Sequence, residues 1–260
     1  MLQQLYAYLP KCDHYCEPFA GSATVLLNRD PSPIETLNDL NGDIVNFFQV
    51  LRDNPDELIY KLDLTPYSYT EFINAWFPSD NPVESARRFF IRTQMDISKG
   101  GIEYNKSWST VVNYKRGSSP SAVLNFTKKV GGLFSVAERL KQVQIECRPA
   151  IKVIDKYDTP GTLFYCDPPY YTATRASKHD YKHEFRQADH EELATSLNSV
   201  IGRVALSGYD HPLYSELYPE GKWFKVLFKA KRVPMSGAGL VRQECLWLNY
   251  KPTIQTQLFS

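Results

Sequence analysis

The stretch Thr162-Leu163-Phe164-Tyr165-Cys166-Asp167-Pro168-Pro169-Tyr170 decides the fold, because an apolar run typical of a buried strand stops at an acid, two prolines and a ring. Neither proline has an N–H to donate and both fix φ at about −65°, so strand pairing ends there in a stiff turn. In open α/β sheets ligands bind beyond the carboxyl ends of the strands. The sequence therefore predicts an α/β fold with a ligand site at Asp167-Pro168-Pro169-Tyr170. The alternative is a tight surface turn with an exposed tyrosine.

This tetrapeptide resembles motif IV of the DNA adenine-N6 methyltransferases, and the resemblance implies a catalytic role for Asp167, Pro168, Pro169 and Tyr170. An exocyclic amine on a purine is a poor nucleophile, because its lone pair is delocalised into the ring. The Asp167 carboxylate and the Pro168 carbonyl would accept its N–H bonds and favour a pyramidal nitrogen, while Tyr170 would stack on the flipped base. Methyl transfer would then be an in-line displacement from a sulfonium donor, governed by positioning and local electrostatics.

Composition limits the possible classes of protein. A chain of 260 residues makes one large domain, or one domain with a sizeable insertion. The net charge is +1, so any basic surface for a polyanion must be local. The sequence starts with no basic and apolar leader, and no apolar run reaches membrane-spanning length. We therefore expect a cytoplasmic protein with no membrane partner.

The five cysteines predict neither a disulfide framework nor a metal site. Their number is odd and they form no CxxC pair. Cys12, His14 and Cys16 lie close together in sequence, but their spacing matches no zinc pattern. We expect no metal cofactor.

The N-terminal part predicts a nucleoside-binding half. Residues 14–19 predict a first strand, and Ala20-Gly21-Ser22-Ala23 is a small-residue turn that lets a ligand approach the backbone. A second strand ends at Asp39, 18 residues after Gly21, the spacing at which an acid reaches ribose hydroxyls in nucleotide-binding α/β folds. The alternative is that Asp39 is the N-cap of the helix predicted at 43–52, which Asp43 can itself cap.

A basic, aromatic-rich insertion follows the predicted helix at 84–97. Regular periodicity fades from residue 98 to 134, and Gly, Ser, Asn, Tyr and Lys dominate. This composition beside a nearly neutral body predicts contacts with double-stranded DNA, although an ordinary solvated loop is the alternative. The candidate DNA-binding residues, taken here and in the polar loop at 171–185, are Lys99, Tyr104, Asn105, Lys106, Lys115, Arg116, Arg175 and Lys182. We predict a catalytic domain at 1–60 and 142–260, and a helical and loop target-recognition region at 61–141.

The C-terminal part completes the predicted sheet. A helix at 189–200, with Asp189 as its N-cap, precedes a fifth strand at 204–209. Residues 223–228 and 244–250 predict an antiparallel pair, so the sheet is mostly parallel with an antiparallel closing strand. The basic and flexible segment at 229–239 between them would reach a phosphate backbone.

The order of these segments resembles the Dam-like, D12 class (α-group) of adenine methyltransferases over nearly the whole chain. Glu17 to Ser22 is similar to motif I, Asn38-Asp39 to motif II, and residues 205–209 and 244–248 to motifs VI and VIII. The resemblance implies a Rossmann-like fold and S-adenosylmethionine as methyl donor, with S-adenosylhomocysteine as product. The cofactor-binding residues that it implies are Glu17, Pro18, Phe19, Ala20, Gly21, Asp39 and Asp167.

The resemblance also implies a setting. Proteins of this class make N6-methyladenine in duplex DNA in bacterial or phage-infected cells, as restriction partners, phage enzymes or solitary regulators. A cognate restriction endonuclease or a partner subunit is therefore an expected protein partner.

Two departures keep other functions open. The family usually begins with a Gly-Gly-Lys segment before its first helix, and this sequence starts at the helix. The family also carries a glycine where Ala23 stands, which is a mild change because alanine adds one methyl group. A non-catalytic or partner-dependent DNA-binding subunit is one alternative. Methylation of RNA adenine, cytosine N4 or protein glutamine is another, although an aspartate at position 167 favours adenine.

Overall fold

The computed structural model describes residues 2–97, 107–110, 121–171, 185–228, 231–232 and 241–252, with the backbone alone at 231–232 and 241–242. All eight candidate DNA-binding residues lie outside these ranges, namely Lys99, Tyr104, Asn105, Lys106, Lys115, Arg116, Arg175 and Lys182. Most of the basic segment at 229–239 lies outside them as well.

Strands and helices alternate through much of the described chain. The strands are β1 (His14–Glu17), β2 (Ile34–Asn38), β3 (Val143–Glu146), β4 (Thr162–Cys166), β5 (Arg203–Tyr209), β6 (Phe224–Leu227), β7 (Lys231–Arg232), β8 (Val241–Arg242) and β9 (Glu244–Leu248). The helices are α1 (Leu2–Tyr6), α2 (Thr24–Asn28), α3 (Gly42–Asp53), α4 (Pro55–Asp63), α5 (Tyr69–Asn74), α6 (Pro82–Met95), α7 (Ala122–Gly131), α8 (Leu133–Leu140), α9 (Ala150–Tyr157), α10 (Gln187–Leu197) and α11 (Pro212–Leu217).

Seven strands form one sheet in the order β3-β2-β1-β4-β5-β9-β6, and β7 pairs with β8 in a separate ribbon. Strand β1 is parallel to β2 and β4, and β4 is parallel to β5. Strand β9 runs antiparallel to β5 and β6, so the predicted closing pair is confirmed. The predicted α/β class, with a mostly parallel sheet and an antiparallel closing strand, is also confirmed.

The chain forms two compact units. One consists of the described residues within 1–40, 146–178 and 183–260, and the other of those within 41–145. The predicted boundaries of the inserted region were 61 and 141, so the second unit also includes α3 and most of α4. The assignment of this unit to target recognition stays a prediction.

The first unit has a hydrophobic core against the central strands. Cys16, Phe164, Leu206 and Trp247 are all at most 1% exposed and pack with apolar residues of α9 and α10. Central parallel strands are buried on both faces, which explains why Thr162–Cys166 reads as an uninterrupted apolar run. The polar groups that follow such a strand are thereby held at the edge of the sheet.

The second unit is helical and has an aromatic centre. The ring of Phe90 stacks on Phe47 at 5.8 Å and meets Phe126 edge-on at 5.6 Å. Phe126 belongs to α7, so the expectation that periodicity is lost up to residue 134 is wrong for this part. Ser121 caps the helix by accepting from the Leu124 N–H at 3.2 Å, and Phe126 and Val130, four residues apart on one helix face, are buried.

One predicted helix start is also wrong. Helix α10 begins at Gln187, two residues before the predicted start, with Arg186 at its N-cap. The Asp189 carboxylate accepts a 2.6 Å hydrogen bond from the Arg186 N–H, which is the N3 half of a capping box. An acid in the first turn suits both positions, and the sequence pattern does not distinguish them.

None of the helices in the described part of the chain is long and apolar enough to span a lipid bilayer.

Candidate active site

The carboxyl ends of β1, β2 and β4 meet at one edge of the sheet. The parallel registers pair Glu17 with Leu37 and Cys16 with Phe164, so Asp39 and Asp167 each follow their strand at this edge. Three predicted site segments are therefore brought together in the first unit: the turn after Glu17, Asp39, and the turn from Asp167 to Tyr170.

The turn after β1 is fixed to the end of β2 by two hydrogen bonds. The Ala20 N–H donates to the Asn38 carbonyl at 2.8 Å, and the Gly21 N–H donates to Oδ2 of Asp39 at 2.9 Å. Gly21 has φ of 48°, which favours glycine. A Cβ built on Gly21 would meet no atom of the described residues within 4 Å, so the space over this backbone is open.

The departure from the family at Ala23 falls on a demanding position. Among the described residues, Ala23 is the non-glycine residue with a positive φ, at 51°, and it precedes α2 as its N-cap. An L-residue in this region carries about 1 kcal/mol of strain that glycine avoids. The substitution is therefore a change of backbone energy as well as of one methyl group.

Asp39 does not cap the following helix. Helix α3 begins at Gly42, and the side chain of Asn41 caps it by accepting from the Asp43 N–H at 3.1 Å. The alternative that Asp39 or Asp43 is the N-cap is therefore wrong. The Asp39 carboxylate instead binds the turn after β1, where a ligand of that turn would lie.

Asn38 is a positioning residue that is absent from the site predicted from the sequence. Its side-chain NH₂ donates to the carbonyls of Pro18 at 2.9 Å and Arg148 at 3.0 Å, and its Oδ1 accepts from the Arg148 N–H at 2.9 Å. Asn38 is 1% exposed, so its amide and the backbone groups that it binds form these hydrogen bonds in place of hydrogen bonds to water. The amide thus joins the ends of β1, β2 and β3. Its place before Asp39 in motif II was the available signal.

Glu17 lies inside the protein. It is 2% exposed, and its Oε1 accepts a 2.9 Å hydrogen bond from the Tyr15 hydroxyl. Burial raises its pKa to about 8, against the opposing effect of hydrogen bonds from Tyr15 and the Leu26 N–H, and the nearby charge of Asp167 raises the pKa further. From inside the protein, Glu17 therefore supports the turn after β1 and helix α2. Its carboxyl group is mostly protonated at neutral pH.

Asp167 combines desolvation with access to solvent. Burial raises its pKa to about 6, while hydrogen bonds from Tyr170 and Ser207 lower it and the charge of Glu244 raises it. The residue is nevertheless exposed at the edge of the sheet. An exposed carboxylate whose pKa is raised, at the carboxyl end of a central strand, is a candidate for binding a ligand.

Tyr170 is held by two neighbours from β5. Its hydroxyl lies 3.2 Å from the Ser207 hydroxyl, and its ring meets Tyr209 edge-on at a centroid distance of 4.7 Å. The ring is half-buried, so the alternative of a surface turn with an exposed tyrosine is wrong. Pro168 is buried and Pro169 half-buried, consistent with a stiff turn.

Cys12, His14 and Cys16 do not form a metal centre. Cys12 contacts the Ser32 hydroxyl at 3.3 Å, His14 contacts the Thr36 hydroxyl at 2.8 Å, and Cys16 lies in the core. Within the ranges that the structure describes, no group of three or more His, Cys, Asp or Glu side chains is arranged to hold a metal ion.

Comparison with known proteins gives a consistent family. Residues 1–235 match the model of the D12 class N6 adenine-specific DNA methyltransferases. The chain is 26% identical to the DNA adenine methylase of Escherichia coli K12 over 98% of this chain and 92% of that protein. It is 25% identical to the DNA N-6-adenine-methyltransferase of Escherichia phage P1, over 91% of this chain and 32% of that protein. It is 26% identical to the type II methyltransferase M1.LlaDCHI of Lactococcus lactis, over 85% of this chain and 81% of that protein.

Proposed function

Because the chain belongs to the D12 class N6 adenine-specific DNA methyltransferase family, we propose that it transfers a methyl group from S-adenosylmethionine to N6 of an adenine flipped out of double-stranded DNA. The observation that carries this proposal is the position of Asp167 at the carboxyl end of β4, at the edge where Gly21 and Asp39 are hydrogen-bonded. A base acceptor and a nucleoside-binding turn therefore share one sheet edge.

The residues of the turn after β4 act on the base. The Asp167 carboxylate accepts one N–H of the exocyclic amine, and the Pro168 carbonyl accepts the other. This arrangement localises the nitrogen lone pair. Because its pKa is about 6, Asp167 is mostly ionised at neutral pH and ready to accept. Pro169 stiffens the turn, and the Tyr170 ring stacks on the base.

The chemistry of the β1–β2 edge fits S-adenosylmethionine. The left-handed turn at Gly21 leaves open space at its Cα for the amino-acid tail. We assign the preceding residues Pro18, Phe19 and Ala20 to the same cofactor. In this proposal Asp39 accepts ribose hydroxyls and also holds the turn through its hydrogen bond from Gly21, and Glu17 supports the turn from inside the protein. When bound, this cofactor supplies an electrophilic methyl group on a positively charged sulfur. The acidic groups Asp39 and Asp167 favour a cationic ligand electrostatically.

We assign DNA recognition to the region 61–141 and to the loop at 171–185, with the eight candidate residues named above as its contacts. The arginines of α6 are occupied within the second unit, which supports this assignment. Arg87 pairs with Glu84 at 2.8 Å and Glu71 at 2.9 Å, and Arg88 pairs with Glu84 at 2.7 Å. Phosphate contacts are therefore left to other basic residues.

We also propose that the protein acts in the cytoplasm of a bacterial or phage-infected cell. The family resemblance implies a cognate restriction endonuclease or a partner subunit, and this partner stays a prediction. No metal takes part in the proposed reaction.

The test is methyl transfer from labelled S-adenosylmethionine to unmethylated genomic DNA, with identification of the methylated base by mass spectrometry and of its sequence context by modified-base sequencing. We expect N6-methyladenine at one short recurring sequence. Asp167→Ala should abolish transfer while S-adenosylmethionine still raises the melting temperature of the variant. Asp155→Ala, on the exposed side of α9, is the matched control and should keep activity.

The other functions give different results in the same assay. Detection of N4-methylcytosine would show that cytosine in DNA, and not adenine, is the substrate. Label found in RNA alone would show that RNA, and not DNA, is the substrate. DNA binding with no stabilisation by millimolar S-adenosylmethionine would make the chain a non-catalytic subunit. Full activity of Asp167→Ala would contradict the proposed mechanism.

A further inference from the structure

Ser207 lies beside Asp167 on the neighbouring strand. The parallel register of β4 and β5 pairs Tyr165 with Ala205 and Cys166 with Leu206, and its continuation places Ser207 opposite Asp167. Residues paired in a parallel ladder project to the same face. Ser207 is half-buried, and its hydroxyl lies 3.2 Å from that of Tyr170. One small hydroxyl therefore lies between the proposed amine acceptor and the proposed stacking ring.

We propose that Ser207 is a positioning residue that donates its hydroxyl hydrogen to the Asp167 carboxylate, beside the Tyr170 hydroxyl that donates to the same carboxylate. A serine hydroxyl has one hydrogen to donate, and here the carboxylate takes it. The bond from Ser207 favours the charged carboxylate, and the two donors together fix the position of its oxygens. The inference rests on the proposed function, because it concerns the reaction of the same site.

The electrostatics of the site agree with this direction. Hydrogen bonding from Ser207 lowers the pKa of Asp167, against the desolvation that raises it. The other ionisable groups that act on Asp167 or respond to it are Glu17 of β1, Tyr165 and Cys166 of β4, Tyr170, and Glu244 of β9. Glu244 raises the pKa of Asp167, and Asp167 in turn raises the pKa values of Glu17, Tyr165 and Cys166. Tyr170 and Ser207 are the groups that keep the acid ionised near neutral pH.

The choice of residue follows from this geometry. An alanine at position 207 would leave Asp167 without one of its two side-chain donors, while β5 would still pair with β4 and β9. A threonine would keep the hydroxyl and suits a strand. Comparison of Ser207→Ala with Ser207→Thr therefore separates the effect of losing the hydroxyl from an effect on folding.

The first experiment needs no turnover. The titration of Asp167 is followed by carboxyl carbon NMR in the wild type, Ser207→Ala and Ser207→Thr, with the resonance assigned by its loss in Asp167→Asn. Loss of one hydrogen bond to a carboxylate should raise the midpoint by about one pH unit in Ser207→Ala. Ser207→Thr should return it toward the wild-type value. An unchanged midpoint in Ser207→Ala would overturn the inference whether or not the protein methylates DNA.

The second experiment uses the reaction. The acidic limb of the pH profile of kcat should move upward in Ser207→Ala by the same amount as the NMR midpoint, with the KM for S-adenosylmethionine changed less than twofold. In Tyr170→Phe the Ser207→Ala substitution should have a smaller effect, because the two hydroxyls form one unit. Ser199→Ala, which removes an exposed hydroxyl at the end of α10, is the control.

The outcomes separate the two proposals. If the wild type transfers no methyl group to DNA, the proposed function fails and the positioning role falls with it, even where the NMR midpoint moves. The wild type could instead be active, with the acidic limb of the kcat profile unchanged in Ser207→Ala while the NMR midpoint moves. Ser207 would then bind Asp167 without positioning it for the reaction, and the inference would fail while the proposed function stands.

Discussion

The Asp39 carboxylate accepts a 2.9 Å hydrogen bond from the Gly21 N–H, and this bond links the turn after the first strand to the end of the second. Asp39 therefore has a structural role in addition to its proposed role as ribose ligand. The two roles differ in what they require, because a neutral oxygen satisfies the Gly21 N–H, whereas ribose hydroxyls are bound more strongly by a charged one.

We expect substitutions of Asp39 to separate these roles. Asp39→Asn keeps an acceptor for Gly21, so its free energy of unfolding should stay within about 0.5 kcal/mol of the wild type, while the Kd for S-adenosylmethionine rises about tenfold. Asp39→Ala should also lose about 1 kcal/mol of stability. Denaturant titration and calorimetric titration measure the two quantities. Asp30→Asn, at an exposed position after α2, serves as the control, and cofactor affinity equal to wild type in Asp39→Ala would refute the ribose assignment.

Replacement of Asn38 should destabilise the protein more than that of any exposed asparagine. Asn38→Ala removes three hydrogen bonds, one buried and two partly buried, and leaves the Pro18 carbonyl and the backbone N–H and carbonyl of Arg148 without this partner. We expect a loss of about 3 kcal/mol in the free energy of unfolding. Asn28→Ala, which removes one exposed bond to Thr24, should lose at most about 0.5 kcal/mol. Equal losses in the two variants would show that Asn38 does not hold the strand ends together.

Substitutions at the left-handed positions Gly21 and Ala23 should differ in their effect on the free energy of unfolding. Gly21→Ala adds strain where there is open space, so it should lose about 1 kcal/mol from backbone energy alone. Ala23→Gly relieves the same strain, but it loses a buried methyl group and gains unfolded-state entropy, so stability should change by less than about 1 kcal/mol.

A valine at position 23 tests the same backbone conformation. Ala23→Val should lose about 2 kcal/mol or more, since a β-branched residue fits neither the positive φ nor the buried site. Thermal and denaturant unfolding of these variants measure the differences. A tolerated valine would show that Ala23 is not held in the left-handed region.

Glu17 should make stability fall as pH rises. Its folded pKa of about 8 lies above the unfolded value of 4.5, so the folded protein binds the proton more tightly. The stabilisation is complete below the unfolded pKa and is lost as pH rises toward 8, at no more than about 1.4 kcal/mol per pH unit. Glu17→Gln, which mimics the protonated acid, should reduce this slope between pH 5 and 8. Unfolding curves across this range would show the difference, and parallel slopes would mean that Glu17 ionises normally.

The fold could be predicted from sequence because its main signals are local. The apolar run at 162–166 needs no distant partner to be recognised, since a strand buried on both faces has no polar alternation. The prolines that follow end it by covalent geometry. Helix boundaries were less predictable: Asp189 suits an N-cap and an N3 position equally, and α7 depends on the Ser121 cap and on the burial of Phe126 in the second unit.

The sequence by itself determined the α/β class, the acids that stand at the carboxyl ends of the strands, and the turn that presents Asp167. Each of these depends on residues that are adjacent in the chain. Tertiary structure alone decided which distant groups surround them. It placed Ser207 beside Asp167 across 40 residues, joined Asn38 to Arg148 across 110, and set Ala23 in a left-handed conformation. Hydrogen bonds and backbone strain of this kind depend on strand register and burial, and these exist only once the sheet has formed.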